Sequence, residues 1–178
     1  MSALIPSGNA TGTGTMTLLA PPTNGTQTVT IPDATGTVMV SGNMPAFSYY
    51  LNTSQTGITA GTFTKILFDT QIFNATSSMF ASSRFTPTVA GYYQINGNLN
   101  IGGTLTGSLL SIFKNGSRYT DGSFYNTVSA NVLTVSGIVY CNGSTDYIEL
   151  YGYLTGASLQ FTASSVGSIF NGCMIRTA

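Results

Sequence analysis

The chain has 178 residues, enough for one ordinary domain with an appendage, and only 6% of them are charged, five acidic against five basic. So few charges build no basic patch, which argues against nucleic acid and anionic membrane as partners. Histidine is absent altogether, so the serine triad, the commonest general base and the usual zinc sites are excluded in their standard forms. Ten Phe and ten Tyr nevertheless supply the apolar surface that offsets ordering entropy, so a folded chain is expected. The opening MSALIPSGNATG has neither a charged start nor a long apolar core, which predicts no secretory signal. No apolar run approaches the roughly 20 residues of a membrane helix. Synthesis and assembly in a cytoplasm, without membrane insertion, are the expectation.

In chain order, residues 1–45 stand apart because they contain no aromatic residue. Candidate strands fall at Met16–Leu19, Gln27–Ile31 and Thr37–Val40, with turns at Pro21-Pro22, Asn24-Gly25 and Pro32–Gly36. Val29, Ile31, Val38 and Val40 can share a face, and Leu18 and Leu19 add to it, but a few aliphatic residues make no independent core. This reads as a β-rich N-terminal arm that docks on something else through those six residues, with Pro45 as the boundary.

From Ala46 the pattern changes to alternating strands, and helix signals are nearly absent. Strands are predicted at Ala46–Leu51, Lys65–Asp69, Gly91–Ile101, Leu109–Lys114, Val132–Cys141, Asp146–Leu154, Ser158–Thr162 and Ile169–Arg176. Asn115-Gly116 predicts a tight hairpin, because that pair accommodates positive φ, and Asn142-Gly143 a second. Together these predict an all-β, two-sheet jelly-roll sandwich over residues 46–178, with the extended β-rich arm before it.

Two strands carry information on both faces. In Gly91–Ile101, Tyr93, Ile95, Leu99 and Ile101 make a core row, while Tyr92, Gln94, Asn96, Asn98 and Asn100 point away. In Asp146–Leu154, Ile148, Leu150 and Leu154 make the core row, and Tyr147, Glu149, Tyr151 and Tyr153 line the opposite face. Aromatics are enriched at protein interfaces, and large exposed apolar patches are uncommon on monomers. Self-association through a surface containing Tyr92, Gln94, Asn96, Tyr147, Glu149, Tyr151 and Tyr153 is therefore expected.

The segment KILFDTQIFNATSSMFASSRFTPTVAGYYQI resembles the stretch that identifies the trimeric globular heads of complement's first component and of the tumour-necrosis-factor superfamily. Phe85-Thr86-Pro87 lacks one residue of that pattern, but Gly91-Tyr92-Tyr93 falls into place. AFSYYL, LLSIFKNG, STDYIELYGYL and SIFNGCMI are similar to four further elements in the same order. The resemblance covers Ala46 to Ala178. It implies a homotrimer whose inner sheets pack round a three-fold axis, with Gly91–Ile101 and Asp146–Leu154 both in that inner sheet. Some members of that family hold calcium near the axis, but no dedicated calcium motif is present here.

The arm sequence TLLAPPTNGTQTVTIPDATGTV looks like a segment recurrent in tail fibres and other virion proteins of bacteriophages. Together the two resemblances imply a virion structural protein rather than an enzyme, with no cofactor and no metal. One form is a capsid decoration or cement protein at the virion surface, its arm on the major capsid protein. The other is a receptor-binding fibre or spike tip attached to tail proteins, reading host glycan or protein with the loops Asn52–Thr62, Asn74–Ser83 and Tyr119–Asn131. The remaining chemistry is sparse. Asp69, Asp146 and Glu149 are the carboxylates with a chance of convergence, and Cys141 and Cys173 are expected to be buried free thiols.

Overall fold

A computed structural model describes residues 44–75, 78–125 and 132–178, all of them within one compact unit, Thr37–Ala178. The arm residues Leu18, Leu19, Val29, Ile31, Val38 and Val40 lie outside the described residues.

Eleven strands and no helix make up the described chain: β1 Ala46–Leu51, β2 Gln55–Thr56, β3 Phe63–Lys65, β4 Thr70–Asn74, β5 Phe80–Ala81, β6 Arg84–Phe85, β7 Gly91–Lys114, β8 Ser117–Tyr125, β9 Val132–Cys141, β10 Ile148–Thr162 and β11 Ser164–Thr177. All the pairings between them are antiparallel. The first layer runs β4-β1-β11-β7-β9 and uses only the first half of β7, Gly91–Asn100. The second layer is built on the other half of β7, which pairs with β8 and with β10, while β3 and β6 lie along β10.

β7 and β10 each continue where the sequence suggested two strands, and they bend together at a glycine pair. Gly103 (φ +119°) and Gly156 (φ +129°) adopt a backbone that side chains rarely tolerate, and a Cβ on Gly103 would meet the Ser158 carbonyl at 2.6 Å. The ladder therefore turns the corner without a loop. β8 covers much of the stretch expected as the loop Tyr119–Asn131, because SRYTDGSFY is too polar to advertise a strand; it forms because the Asn115-Gly116 turn, with φ of +53° and +76°, folds it back onto β7. Asn142-Gly143 differs from expectation. The Asn142 side chain accepts from the backbone of Ser144, Thr145 and Asp146, so that connection is a capped loop rather than a two-residue hairpin.

The core lies between the layers. Tyr93, Ile95 and Leu99 of β7 and Phe170 of β11 face Ile148, Leu150 and Leu154 of β10, all fully buried. Phe47 organises an aromatic cluster, with Phe85 stacked at 4.3 Å and Phe170 edge-on at 4.9 Å. The Tyr93 hydroxyl donates to the Val89 carbonyl at 2.6 Å, so its burial leaves no unpaired group. Fully burying rings of this size contributes about 2–3 kcal/mol each, so the eight buried ones, Phe47, Phe68, Phe80, Phe85, Tyr93, Phe113, Phe161 and Phe170, help sustain a chain with so little charge.

Candidate interaction surfaces

The two rows expected to share one inner sheet lie on different layers. Tyr92, Gln94 and Asn96 are on the outward face of the first layer; Tyr147, Glu149, Tyr151 and Tyr153 are on the outward face of the second. The physical reason is the corner at Gly103. Asp146–Leu154 pairs with Ser108–Lys114, beyond that corner, whereas Gly91–Asn100 pairs with β9 and β11. The sequence pattern identified both faces of each strand but not the bend between them.

The first face is neutral and zipped by amides. Gln94 donates to Ser136 at 2.8 Å, Ser136 donates to Asn96 at 2.9 Å, and Asn96 donates to Asn171 at 3.1 Å, crossing β9, β7 and β11 in turn. These bonds engage part of each amide's polar capacity within the sheet, which lowers the cost of withdrawing water from them. Around them Phe73, Tyr92, Ile138, Tyr140 and Ile175 are large apolar residues left in solvent, Ile138 at 55% exposure. The Tyr92 and Tyr140 rings meet at 5.5 Å, and Tyr92, Ile138, Ile175 and Arg176 line a shallow depression of about 220 Å³. Among the described residues the formal charges at this face stand at its rim, Arg176 over the Tyr92 ring and Lys114 over the Tyr140 ring.

The second face concentrates charge. Lys65, Arg84, Arg118, Asp121 and Glu149 gather there, half of the ten charged residues in the chain. Glu149 is only 2% exposed and accepts from Lys65 Nζ at 2.6 Å and Arg84 Nε at 2.9 Å through the same oxygen. Its other oxygen accepts from the Tyr151 hydroxyl at 3.3 Å. Burial alone would push the Glu149 carboxyl up; the hydrogen bonds from Lys65 and Arg84 outweigh it and hold the group below the ordinary carboxylate range. Burial, and then the neighbouring Glu149, push the Tyr151 phenol up. The tyrosines are already half-covered within the chain: Phe113 stacks on Tyr151 at 4.1 Å, Phe63 lies 5.2 Å from Tyr153, and Arg84 sits over Tyr147 at 3.8 Å.

Lys65 and Arg84, partners of Glu149, were not singled out from sequence as site residues. They come from β3 and β6, strands of three and two residues that leave no periodic signal. Of the loops proposed for recognition, Asn52–Thr62 contains β2, Asn74–Ser83 ends in β5, and Tyr119–Asn131 begins within β8. Asp69 accepts from the Asn52 backbone, while Asp146 accepts from the Asn115 amide at 2.7 Å and pairs with Lys114 at 3.0 Å. Each of these carboxylates therefore fastens a loop, apart from Glu149. Both cysteines are free thiols, but only Cys141 is buried, its thiol pushed up to about 12 by that burial. Cys173 is exposed because it follows Gly172 on the outward side of β11.

Solved structures share this architecture. Murine APRIL at pH 8.0 aligns with a TM-score of 0.59 at 9% identity, covering 74% of this chain and 99% of that one. Eiger TNF from S. frugiperda gives 0.59 at 8% identity over 76% and 95% of the two chains. The globular domain of zebrafish complement 1qA protein gives 0.53 at 17% identity over 75% and 99%. At such identities the likeness is one of fold: the head is an all-β jelly roll of the kind seen in complement heads and tumour necrosis factors. No family model and no curated protein sequence matches the chain.

Proposed function

We propose that the chain is a homotrimeric structural protein of a virion, decorating and cementing the capsid, with the outward face of the first layer turned to the three-fold axis and residues 1–45 docked on the major capsid protein. The single observation that carries the trimer is the first face, uncharged within its rim, whose amides bond to one another across the strands while Ile138, Ile175, Tyr92, Tyr140 and Phe73 stand in solvent. Apolar surface of this kind, free of charge except at its rim, matches the composition of interface cores. The virion assignment is supported by the arm sequence. Cementing follows from it physically: a trimer that bridges neighbouring subunits adds binding free energy available only to the assembled shell.

A second reading, a receptor-binding tip on tail proteins, is favoured by the concentration of aromatics and charge on the second face, which trimerisation through the first leaves free. Copy number per particle and the position of the density separate the two. Many copies spread over the shell support decoration, and a few copies at the tail support the tip. Solution molar mass tests the trimer, and deletion of residues 1–45 is expected to leave a soluble trimer that no longer attaches to the particle. Normal attachment of the truncated protein would refute the docking role of the arm.

A further inference from the structure

The second face holds one cation more than its anions require. Asp121 satisfies Arg118, with the guanidinium resting 5.1 Å from the Phe63 ring. Glu149 is neutralised by Lys65, yet Arg84 is there as well, so the Lys65–Glu149–Arg84 group carries a net charge of one positive unit. Arg84 spends only its Nε on Glu149; its two terminal nitrogens have no acceptor among the described residues, and the side chain is 43% exposed. The guanidinium carbon stands over the Tyr147 ring, 3.8 Å from its centroid, which holds the side chain against β10.

This placement is costly and is built into the backbone. Arg84 follows a two-residue turn between β5 and β6 in which Ser82 (φ +50°) and Ser83 (φ +56°) both adopt the left-handed conformation without being glycine. The Ser83 hydroxyl locks the turn by donating to the Phe68 carbonyl at 2.9 Å. Below Arg84 the row of Tyr147, Tyr151 and Tyr153 extends along β10 for about 20 Å, with Phe63 and Phe113 filling between them.

We infer that the outward face of the second layer binds a carboxylate-bearing sugar of an acidic polysaccharide, the carboxylate accepting from the free fork of Arg84 and the pyranose rings lying on the Tyr147–Tyr151–Tyr153 row. A guanidinium with two outward nitrogens matches a carboxylate in planar, two-point geometry. The surplus of one charge suits a monoanion. A phosphate dianion would be under-neutralised and repelled by the underlying Glu149. A peptide anchors in a deep pocket or along a free sheet edge, but here β10 is flanked on one side by β7 and on the other by β3 and β6. The flat, hydroxyl-bearing aromatic row suits a sugar, which has an apolar ring face and a polar rim. The inference needs only the folded head and does not depend on where the protein sits on a particle.

The test is calorimetric titration of the full chain with oligogalacturonate and with oligomers of sialic acid, each compared with its neutral methyl ester, and with dextran oligomers. Binding of at least one acidic series is expected, weakened about tenfold or more by esterification, by Arg84→Gln or by high salt. Arg84→Lys is expected to recover part of the loss, whereas Arg118→Gln, which removes a charge of the same face but no contact to the carboxylate, is expected to weaken binding clearly less than Arg84→Gln. Absence of binding by both acidic series at millimolar concentration overturns the proposal. So does equal binding of the esters or of dextran, or an equal loss in Arg84→Gln and Arg118→Gln. The ester comparison uses unaltered protein, so the result stands even if a variant misfolds. Molar mass measured on the same samples keeps failure of this site distinct from failure of the trimer.

Discussion

The two outward faces of the sandwich begin from the same sequence pattern, large aromatics alternating with an aliphatic core row, and arrive at opposite solutions. On the first layer the side chains between the aromatics are amides and hydroxyls that bond to one another across β9, β7 and β11. They leave Ile138 and Ile175 uncovered. On the second layer a buried carboxylate gathers two cations, and each tyrosine already meets a neighbour in the same chain, Tyr147 under Arg84, Tyr151 against Phe113 and Tyr153 against Phe63. A tyrosine row is thus no guarantee of an interface. What decides is whether neighbouring strands in the same chain already cover it.

The sharpest way to break this contrast is a charge on each face. Ile138→Arg, which would place a guanidinium in the proposed three-fold seam, is expected to reduce the solution mass from trimer to monomer, whereas Tyr151→Arg is expected to keep the trimer mass. Reversal of those two outcomes in sedimentation would exchange the roles of the faces. Glu149→Gln comes next. It leaves Lys65 and Arg84 without their anion, and because both cations are partly solvated the loss is about 2 kcal/mol in denaturant unfolding, with no change in mass.

The same carboxylate sets a pH response. Its folded acidity is strengthened, so its stabilisation is complete above the unfolded carboxyl value of about 4.3 and is lost as pH falls through the lower folded value. Asp121, lowered first by its bond from Arg118, and Asp146, lowered first by Asn115, act in the same direction. Melting curves taken down through pH 4 should therefore fall for the unaltered chain and fall less steeply for Glu149→Gln. A slope identical in the two proteins would remove Glu149 from the account. Tyr151→Arg is expected to cost about 1 kcal/mol through the lost Phe113 stack, also read by denaturant unfolding. The smallest effect is at the exposed pair: Arg118→Ala should leave the melting temperature unchanged within error.

Much of the fold was legible. The bounds of β1 and β9 follow from alternation alone, Asn115-Gly116 announced its turn, and the core rows of β7 and β10 were read residue by residue. The second face was legible only in part. Tyr147, Glu149, Tyr151 and Tyr153 declared themselves by spacing, but Lys65 and Arg84 reach Glu149 across 84 and 65 positions from strands too short to show a period. The exposed position of Cys173 was hidden as well, since a cysteine in a β-patterned segment carries no sign of which way it points.

Composition and period-two alternation, by themselves, determined that this chain is an all-β sandwich with aromatics in its core and almost no charge to spend on its surface. Both are local properties, fixed by how successive side chains point along a strand. Only the tertiary structure decided which strands share a layer, because β7 bends at Gly103 and carries its two halves to opposite sides of the core. That bend separates the amide-zipped face from the charged one, and it coincides with a register break where Gly103 and, 53 residues further along the chain, Gly156 both take a positive φ.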